Sequence, residues 1–284
     1  MVNFHSQSVS DGIEYVQAAR ARDDLTEEDQ ALITQYVDEM QARDNIGEKR
    51  ARKILFTLAS WGRFKEKPFS ELGQAELYRA ISAMKNGQSQ RGKPFSQNTK
   101  RDMLSILKQF LTWLIESGIS PLQEAQVKKI RTIPTDKMTH EAGDLLTPAE
   151  IERIVNACAN SHDRAFIIMM YEGGMRIGEI AGLTWDKITV DRYGLIINLD
   201  FKTAKPRYIR LVMSKEPLMK WRSDYPGNPN ENGTPVYINS RGEPWQYAAL
   251  SKRIRRLAEK AGIEKHITPH IFRHSRITHL IREG

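Results

Sequence analysis

Two stretches of this 284-residue chain place charged side chains where a phosphate could be held. The first, Gly173-Gly-Met-Arg-Ile-Gly-Glu-Ile-Ala-Gly-Leu-Thr-Trp, reads as a helix end, a glycine turn and a new helix, with Arg176 near its start and Glu179 one turn on. An arginine so placed can meet a phosphate beside free helix N–H groups. The same spacing also suits an i,i+3 surface pair with Glu179. The second, Thr268-Pro-His-Ile-Phe-Arg-His-Ser-Arg-Ile-Thr-His-Leu, opens a helix with Thr268 as cap and Pro269 at its first position. His270 and Arg273, three apart, then share a face at the helix start, where both can address one anion. Capping or core packing is the other reading of His270, and a solvated charge that of Arg273. His266, His270 and His274 are spaced by four, which raises zinc, but no His-Glu-x-x-His arrangement is present and Arg273 would repel the ion. No metal and no cofactor is expected.

Positioning these groups calls for helices in both halves and one small sheet. The N-terminal half reads as a four-helix set. Its helices run from Leu25-Thr-Glu-Glu-Asp to about Arg43, from about Gly47 to Trp61, from Ser70 to Lys85, and from Ser96 to Ser117. Thr26 suits the first cap, and Gly118 closes the last helix. The periodicity fades between Ser120 and Asp144, a stretch with Pro121, Pro134, Lys128, Lys129 and Arg131 that is expected to be a basic linker. Leu146-Thr-Pro-Ala-Glu-Ile then opens a second domain, Thr147 capping and Pro148 at the first helical position. Gly194-Leu-Ile-Ile-Asn-Leu and Arg207-Tyr-Ile-Arg-Leu-Val flank Lys202-Thr-Ala-Lys-Pro, which predicts a β-hairpin with a basic tip, and Val236-Tyr-Ile is a candidate strand. Helices are expected again from about Tyr247 to Gly262 and from Thr268 onward. The fold class is therefore α+β and mostly α, with domains at 1–119 and 145–284 joined by a linker at 120–144.

Composition bounds the function class. The chain is 40% hydrophobic and 27% charged, which suits a globular protein, and neither a bilayer-spanning apolar run nor a signal-peptide pattern is present. An intracellular, cytoplasmic location is expected. Cys158, the one cysteine, cannot form an intramolecular disulfide, and beside Ile154, Val155 and Ala157 it reads as a small core residue. The net charge of +8 favours polyanionic partners. Acidic residues gather at 23–39, whereas basic ones collect at 49–67, 91–108, 128–131, 202–222 and after 252. Candidate backbone contacts to a nucleic acid are Arg50, Lys53, Lys100, Arg101, Lys108, Arg253 and Arg256.

The arginine motif, the basic hairpin, and Pro-His-Ile-Phe-Arg-His followed by Thr-His-Leu come in an order that resembles the tyrosine recombinases, the phage-type integrases and Xer-like enzymes. The resemblance covers residues from about 145 to the end, and the preceding domain is similar in size and helical character to the family's SAM-like core-binding domain. It implies that Arg176 is the first catalytic arginine, that His270 and Arg273 form the His-x-x-Arg box, and that Glu179 orients the first arginine. It further implies a hairpin lysine that protonates the leaving 5′-oxygen, with Lys202 the favoured match and Lys205 the competing one. The implied partners are double-stranded DNA, near the nucleoid, and other copies of itself on DNA, in a tetramer when full length.

The family's pattern continues past the His-x-x-Arg helix to a Gly-His pair and then the attacking tyrosine. Here the residues stop at Gly284, and the last tyrosine, Tyr247, precedes the box. The expectation is therefore a C-terminally truncated recombinase that binds DNA but holds no nucleophile. The alternative is a DNA-binding regulator or antagonist of recombination that does not cleave.

Overall fold

The computed structural model describes residues 8–136, 142–199 and 207–283. They fall into two compact units, one within residues 7–139 and the other within residues 140–284. The expected α+β, mostly helical class is observed, and among the described residues no helix is long and apolar enough to cross a membrane.

The N-terminal unit is built from α1 (Val9–Ala21), α2 (Glu27–Asp44), α3 (Glu48–Trp61), α4 (Gln74–Asn86), α5 (Gln97–Glu116) and the short α6 (Glu124–Lys128). Thr26 Oγ1 accepts from the Asp29 amide at 3.1 Å while the Asp29 carboxylate accepts from the Thr26 amide at 3.0 Å, a reciprocal cap that starts α2. The fully buried Asp29 carboxylate also accepts from the Phe69 amide at 2.8 Å and from Lys65 Nζ at 2.6 Å, so its charge is satisfied inside the fold. Apolar residues of α3 and α5 face each other, and Tyr36, Phe69, Phe110 and Trp113 pack ring against ring between them and α2.

Two helices of the N-terminal unit depart from the sequence reading. Helix α1 has no counterpart in it, because its buried face is made of Gly12, Val16 and Ala19, too small to register as an apolar stripe. Small residues are what this contact needs: a Cβ on Gly12 would lie 2.7 Å from Leu55 Cδ1 of α3. Helix α6 falls inside the stretch read as linker. Leu122, Val127 and Ile130 join the N-terminal core there, and the segment is too short to show a helical period.

The second unit contains α7 (Pro148–Asn156), α8 (Ser161–Gly173), α9 (Ile177–Ala181), β1 (Ile188–Asp191), β2 (Gly194–Leu199), β3 (Arg207–Leu211), α10 (Lys215–Ser223), α11 (Tyr247–Lys260) and α12 (Pro269–Glu283). The Thr147–Glu150 cap opens α7 as its motif predicts. Helix α8 lies at the centre with Ala165, Phe166, Ile167, Met169, Met170 and Tyr171 buried, packed against α7, α10, α12 and β3. The strands form an antiparallel sheet in the order β1-β2-β3, with Ile188 opposite Ile197 and Ile197 opposite Ile209. The hairpin strands β2 and β3 are those expected, and β1 adds a third strand whose four residues are too few to announce it. The candidate strand at 236–238 forms only an isolated bridge, from Ile238 to Pro244, with a second at Pro235 just before it, since proline cannot donate to a ladder. Cys158 is buried with Sγ bonded to the Ile154 carbonyl, and burial, with Asp163 nearby, pushes its thiol up to about 11.

Candidate active site

The buried run of α8 ends at Tyr171, and Gly173 and Gly174 let the chain reverse; Gly174 takes a left-handed φ of 49°. Arg176 is then the N-cap residue of α9. Its amide donates to Glu179 Oε2 at 2.8 Å and its Nη1 to Glu179 Oε1 at 2.9 Å. The surface pair weighed from the sequence thus exists, but it is asymmetric. Glu179 is 3% exposed and Arg176 is 55% exposed, so a buried carboxylate orients an outward guanidinium.

Helix α12 is pinned beside this turn by its own polar residues. Ser275 Oγ accepts from the Leu146 amide at 2.9 Å and donates to the Ile271 carbonyl at 2.8 Å, while Ile271 and Phe272 enter the core. One turn later the buried His279 places Nδ1 2.8 Å from the Tyr171 hydroxyl of α8. With the helix held on that face, Arg273 Nη1 donates to the carbonyl of Gly174, two residues before Arg176. His270 lies exposed in the first turn of α12, its ring centroid 6.5 Å from that of His274. Among the described residues no group of three or more His, Cys, Asp or Glu side chains gathers as a metal site.

The fold therefore brings Arg176, Glu179 and Arg273 to a single turn, with His270 one helical turn before Arg273. Lys202 and Lys205 lie outside the described residues. Arg276, which sequence reasoning missed, lies under the same turn. Its guanidinium stacks 5.5 Å from the Tyr171 ring centroid, and its side chain is 19% exposed. It shares α12 with Arg273 at i,i+3, which is the available signal. Glu172 was missed as well: its carboxylate accepts from the amides of Val212, Met213 and Ser214 and from the Ser214 hydroxyl at 2.6–2.9 Å.

Of the candidate backbone contacts, Arg50 and Lys53 on α3 both reach α5, Lys53 at the carboxylate that Arg101 also approaches. Arg50 reaches Gln109 at 3.2 Å, Lys53 pairs with Asp102, and Arg101 approaches the same carboxylate at 3.9 Å. Lys100 sits half-buried in the first turn of α5, and Arg256 is exposed on α11. Two others make bonds within the fold. Lys108 Nζ donates to the Ile130 carbonyl at 2.7 Å and thereby fastens the end of the α6 segment. Arg253 grips Asp163 through two nitrogens, its guanidinium turned to a carboxylate that is 2% exposed. Burial alone would raise the Asp163 pKa, yet bonds from His162 and Arg253 outweigh it and hold the carboxyl down at about 2. These two cations neutralise and bridge inside the fold.

A model of the phage integrase family matches residues 144–284. The tyrosine recombinase XerC of Xylella fastidiosa (strain M23) is 28% identical over 218 residues, covering 75% of this chain and 69% of XerC. Residues 144–284 belong to the tyrosine recombinase family. Transposase A from transposon Tn554 of Staphylococcus aureus (strain Mu50 / ATCC 700699) is 31% identical over 152 residues, 49% of this chain and 41% of the transposase. A crystal structure of lambda integrase bound to DNA aligns with a TM-score of 0.69 at 16% identity, over 90% of this chain and 87% of that one. XerH bound to a palindromic difH substrate aligns with a TM-score of 0.64 at 18% identity, over 88% and 73% of the two chains. At such identities the shared feature is the fold. Within a tyrosine recombinase fold, the turn at 173–176 and the start of α12 hold the arginine motif and the His-x-x-Arg box side by side.

Proposed function

We propose that this chain acts in site-specific DNA recombination or integration, and that Arg176 and Arg273 hold the non-bridging oxygens of the phosphate at which strands are exchanged. The observation that carries the reading is the bond from Arg273 to the Gly174 carbonyl, which ties the second arginine to the turn presenting the first. In the proposed reaction a tyrosine hydroxyl forms a new P–O bond and the bond to the 5′-oxygen breaks, leaving a 3′-phosphotyrosyl link. Charge grows on the phosphoryl oxygens as phosphorus becomes five-coordinate, and preorganised guanidiniums stabilise that state. Glu179 fixes Arg176 without covering it. His270 donates a hydrogen bond or carries a proton, and Lys202, with Lys205 as the competing residue, protonates the departing 5′-oxygen. Rejoining reverses these steps, so the energy of the broken bond is conserved in the link and no nucleotide cofactor is needed.

Double-stranded DNA is the proposed partner, met in the intracellular compartment and held together with other copies of the chain in a tetramer on two duplexes. Arg50, Lys53, Lys100, Arg101 and Arg256 are the proposed backbone contacts. The attacking tyrosine is not assigned to these 284 residues, in which Tyr247 is the last and precedes the His-x-x-Arg box. The chain of 284 residues is thus proposed to bind without cleaving. The test is a suicide substrate, a site duplex nicked so that a cleaved strand is lost. Binding with a steep salt dependence and no covalent adduct is the expected result. A covalent adduct on the 284-residue chain would overturn the assignment of the nucleophile, and salt-insensitive binding would overturn the phosphate-directed reading.

A further inference from the structure

Glu172 differs from every other carboxylate described near the candidate site in what it binds. Its Oε1 accepts from the Val212 amide at 2.6 Å and the Met213 amide at 2.9 Å; its Oε2 accepts from the Ser214 amide at 2.8 Å and the Ser214 hydroxyl at 2.6 Å. A carboxylate has about four acceptor sites, so this one is filled. Glu179 by contrast spends one oxygen on the guanidinium of Arg176. Glu172 thus brings a negative charge to the root of the arginine turn that backbone donors, rather than an arginine, neutralise.

The donors do not fit ordinary helix capping. A cap satisfies the first amides inside a helix, whereas Val212, Met213 and Ser214 precede Lys215, the first residue of α10. They form instead the run-out of β3, which ends at Leu211. A second contact on the same side repeats the association, because a Cβ on Gly173 would lie 3.1 Å from Ile209 Cδ1 of β3. On the other side of the segment, the Gly174 carbonyl receives Arg273. Residues 172–174 therefore join the sheet, the Arg176 turn and α12 in three consecutive positions.

We infer that Glu172 is a positioning residue: by fastening the end of β3 to the end of α8, it fixes the Gly173–Arg176 turn, and through it the two arginines, for phosphate binding. This rests on the reading of Arg176 and Arg273 as phosphate ligands. Without the clamp, a turn containing two adjacent glycines would be free to swing, and a guanidinium displaced by about an ångström loses a directional bond.

The experiment is a double-mutant cycle on DNA affinity, combining Glu172→Gln with Arg176→Ala, alongside amide hydrogen exchange. The glutamine side chain keeps the shape of the glutamate but turns an NH2 group toward donors it cannot accept. Glu172→Gln is expected to weaken DNA binding about five- to tenfold in the parent and to change it less than about twofold in the Arg176→Ala background. It should also speed exchange at 174–176 together with 212–214. Glu172→Asp, one methylene short of the amides, should behave like Glu172→Gln. An equal loss in both backgrounds would overturn the inference, as would faster exchange confined to 212–214, because either marks a general structural role. Should Arg176→Ala itself leave affinity unchanged, the phosphate reading falls. The exchange data then decide the inference alone: joint loosening of 174–176 and 212–214 supports the clamp, and its absence refutes it.

Discussion

The Tyr171 hydroxyl and His279 Nδ1 share a hydrogen bond of 2.8 Å inside the contact between α8 and α12, with the Arg276 guanidinium over the tyrosine ring. The pair sets the axial position of α12 against α8, and hence how far Arg273 reaches. Tyr171→Phe keeps the ring and deletes the bond, leaving a buried imidazole nitrogen unsatisfied. A loss of about 1–3 kcal/mol in unfolding free energy is expected from urea denaturation. A loss below about 0.5 kcal/mol would mean that the bond is exchanged for one to water.

The two arginines should weaken DNA binding together rather than additively, since Arg273 is anchored in the turn that presents Arg176. Arg176→Ala and Arg273→Ala are each expected to cost about tenfold or more in affinity. The double variant should lose less than the product of the two. Fluorescence anisotropy with a duplex at fixed salt measures the parent, both single variants and the double variant. Strict multiplicativity would show that the two groups contact separate phosphates.

Basic residues should separate into two classes. Arg50→Ala or Arg101→Ala should lower the slope of log affinity against log salt by about 1 each, with little change in stability. Lys108→Ala should do the reverse, because its Nζ is spent on the Ile130 carbonyl. A salt titration paired with a thermal melt for each variant distinguishes the classes.

The Asp163–Arg253 pair predicts a pH dependence. The Asp163 carboxyl is held at about 2, below its unfolded value near about 3.9, so its contribution is complete above that unfolded value. It is lost as pH falls through the folded value, from about 4 towards about 2. Asp163→Asn should lower stability on the order of 2 kcal/mol at about pH 7. The gap from the parent should narrow as the pH is taken below about 4. A gap that stayed constant over that interval would show that the charge of Asp163 contributes nothing.

Gly194 has a φ of 145°, and a Cβ there would stand 2.1 Å from the Leu211 carbonyl oxygen. Both the backbone conformation and the cross-strand approach exclude a side chain. Gly194→Ala is expected to cost about 3 kcal/mol or more, to displace the β2–β3 register, and to be visible as lost amide protection in both strands.

What can be read from the sequence is what local chemistry writes into a few neighbouring residues. Thr26, Thr147 and Pro148 announce helix starts through caps, the spacing of His270 and Arg273 places them on one helix face, and β-branched runs mark β2 and β3. Long-range pairings are not legible. Glu172 meets its donors 40 to 42 residues away, and Asp163 meets Arg253 across 90, so nothing beside either residue marks the partnership. For the same reason, charge type alone does not separate Lys108 and Arg253 from Arg50 and Arg101. The small-residue face of α1 escapes notice because close packing of glycine and alanine leaves no hydrophobic period to detect.

The acceptor that Arg273 finds in the α8–α9 turn is a main-chain carbonyl. A side-chain acceptor can be deleted by a single codon change, but every residue type supplies a carbonyl. The link between the arginines can therefore be inherited through substitutions that rewrite the side chains around it. It is vulnerable chiefly to changes that re-route the chain, so Gly174, at a φ of 49°, constrains this site through the path it permits rather than through any group it bears.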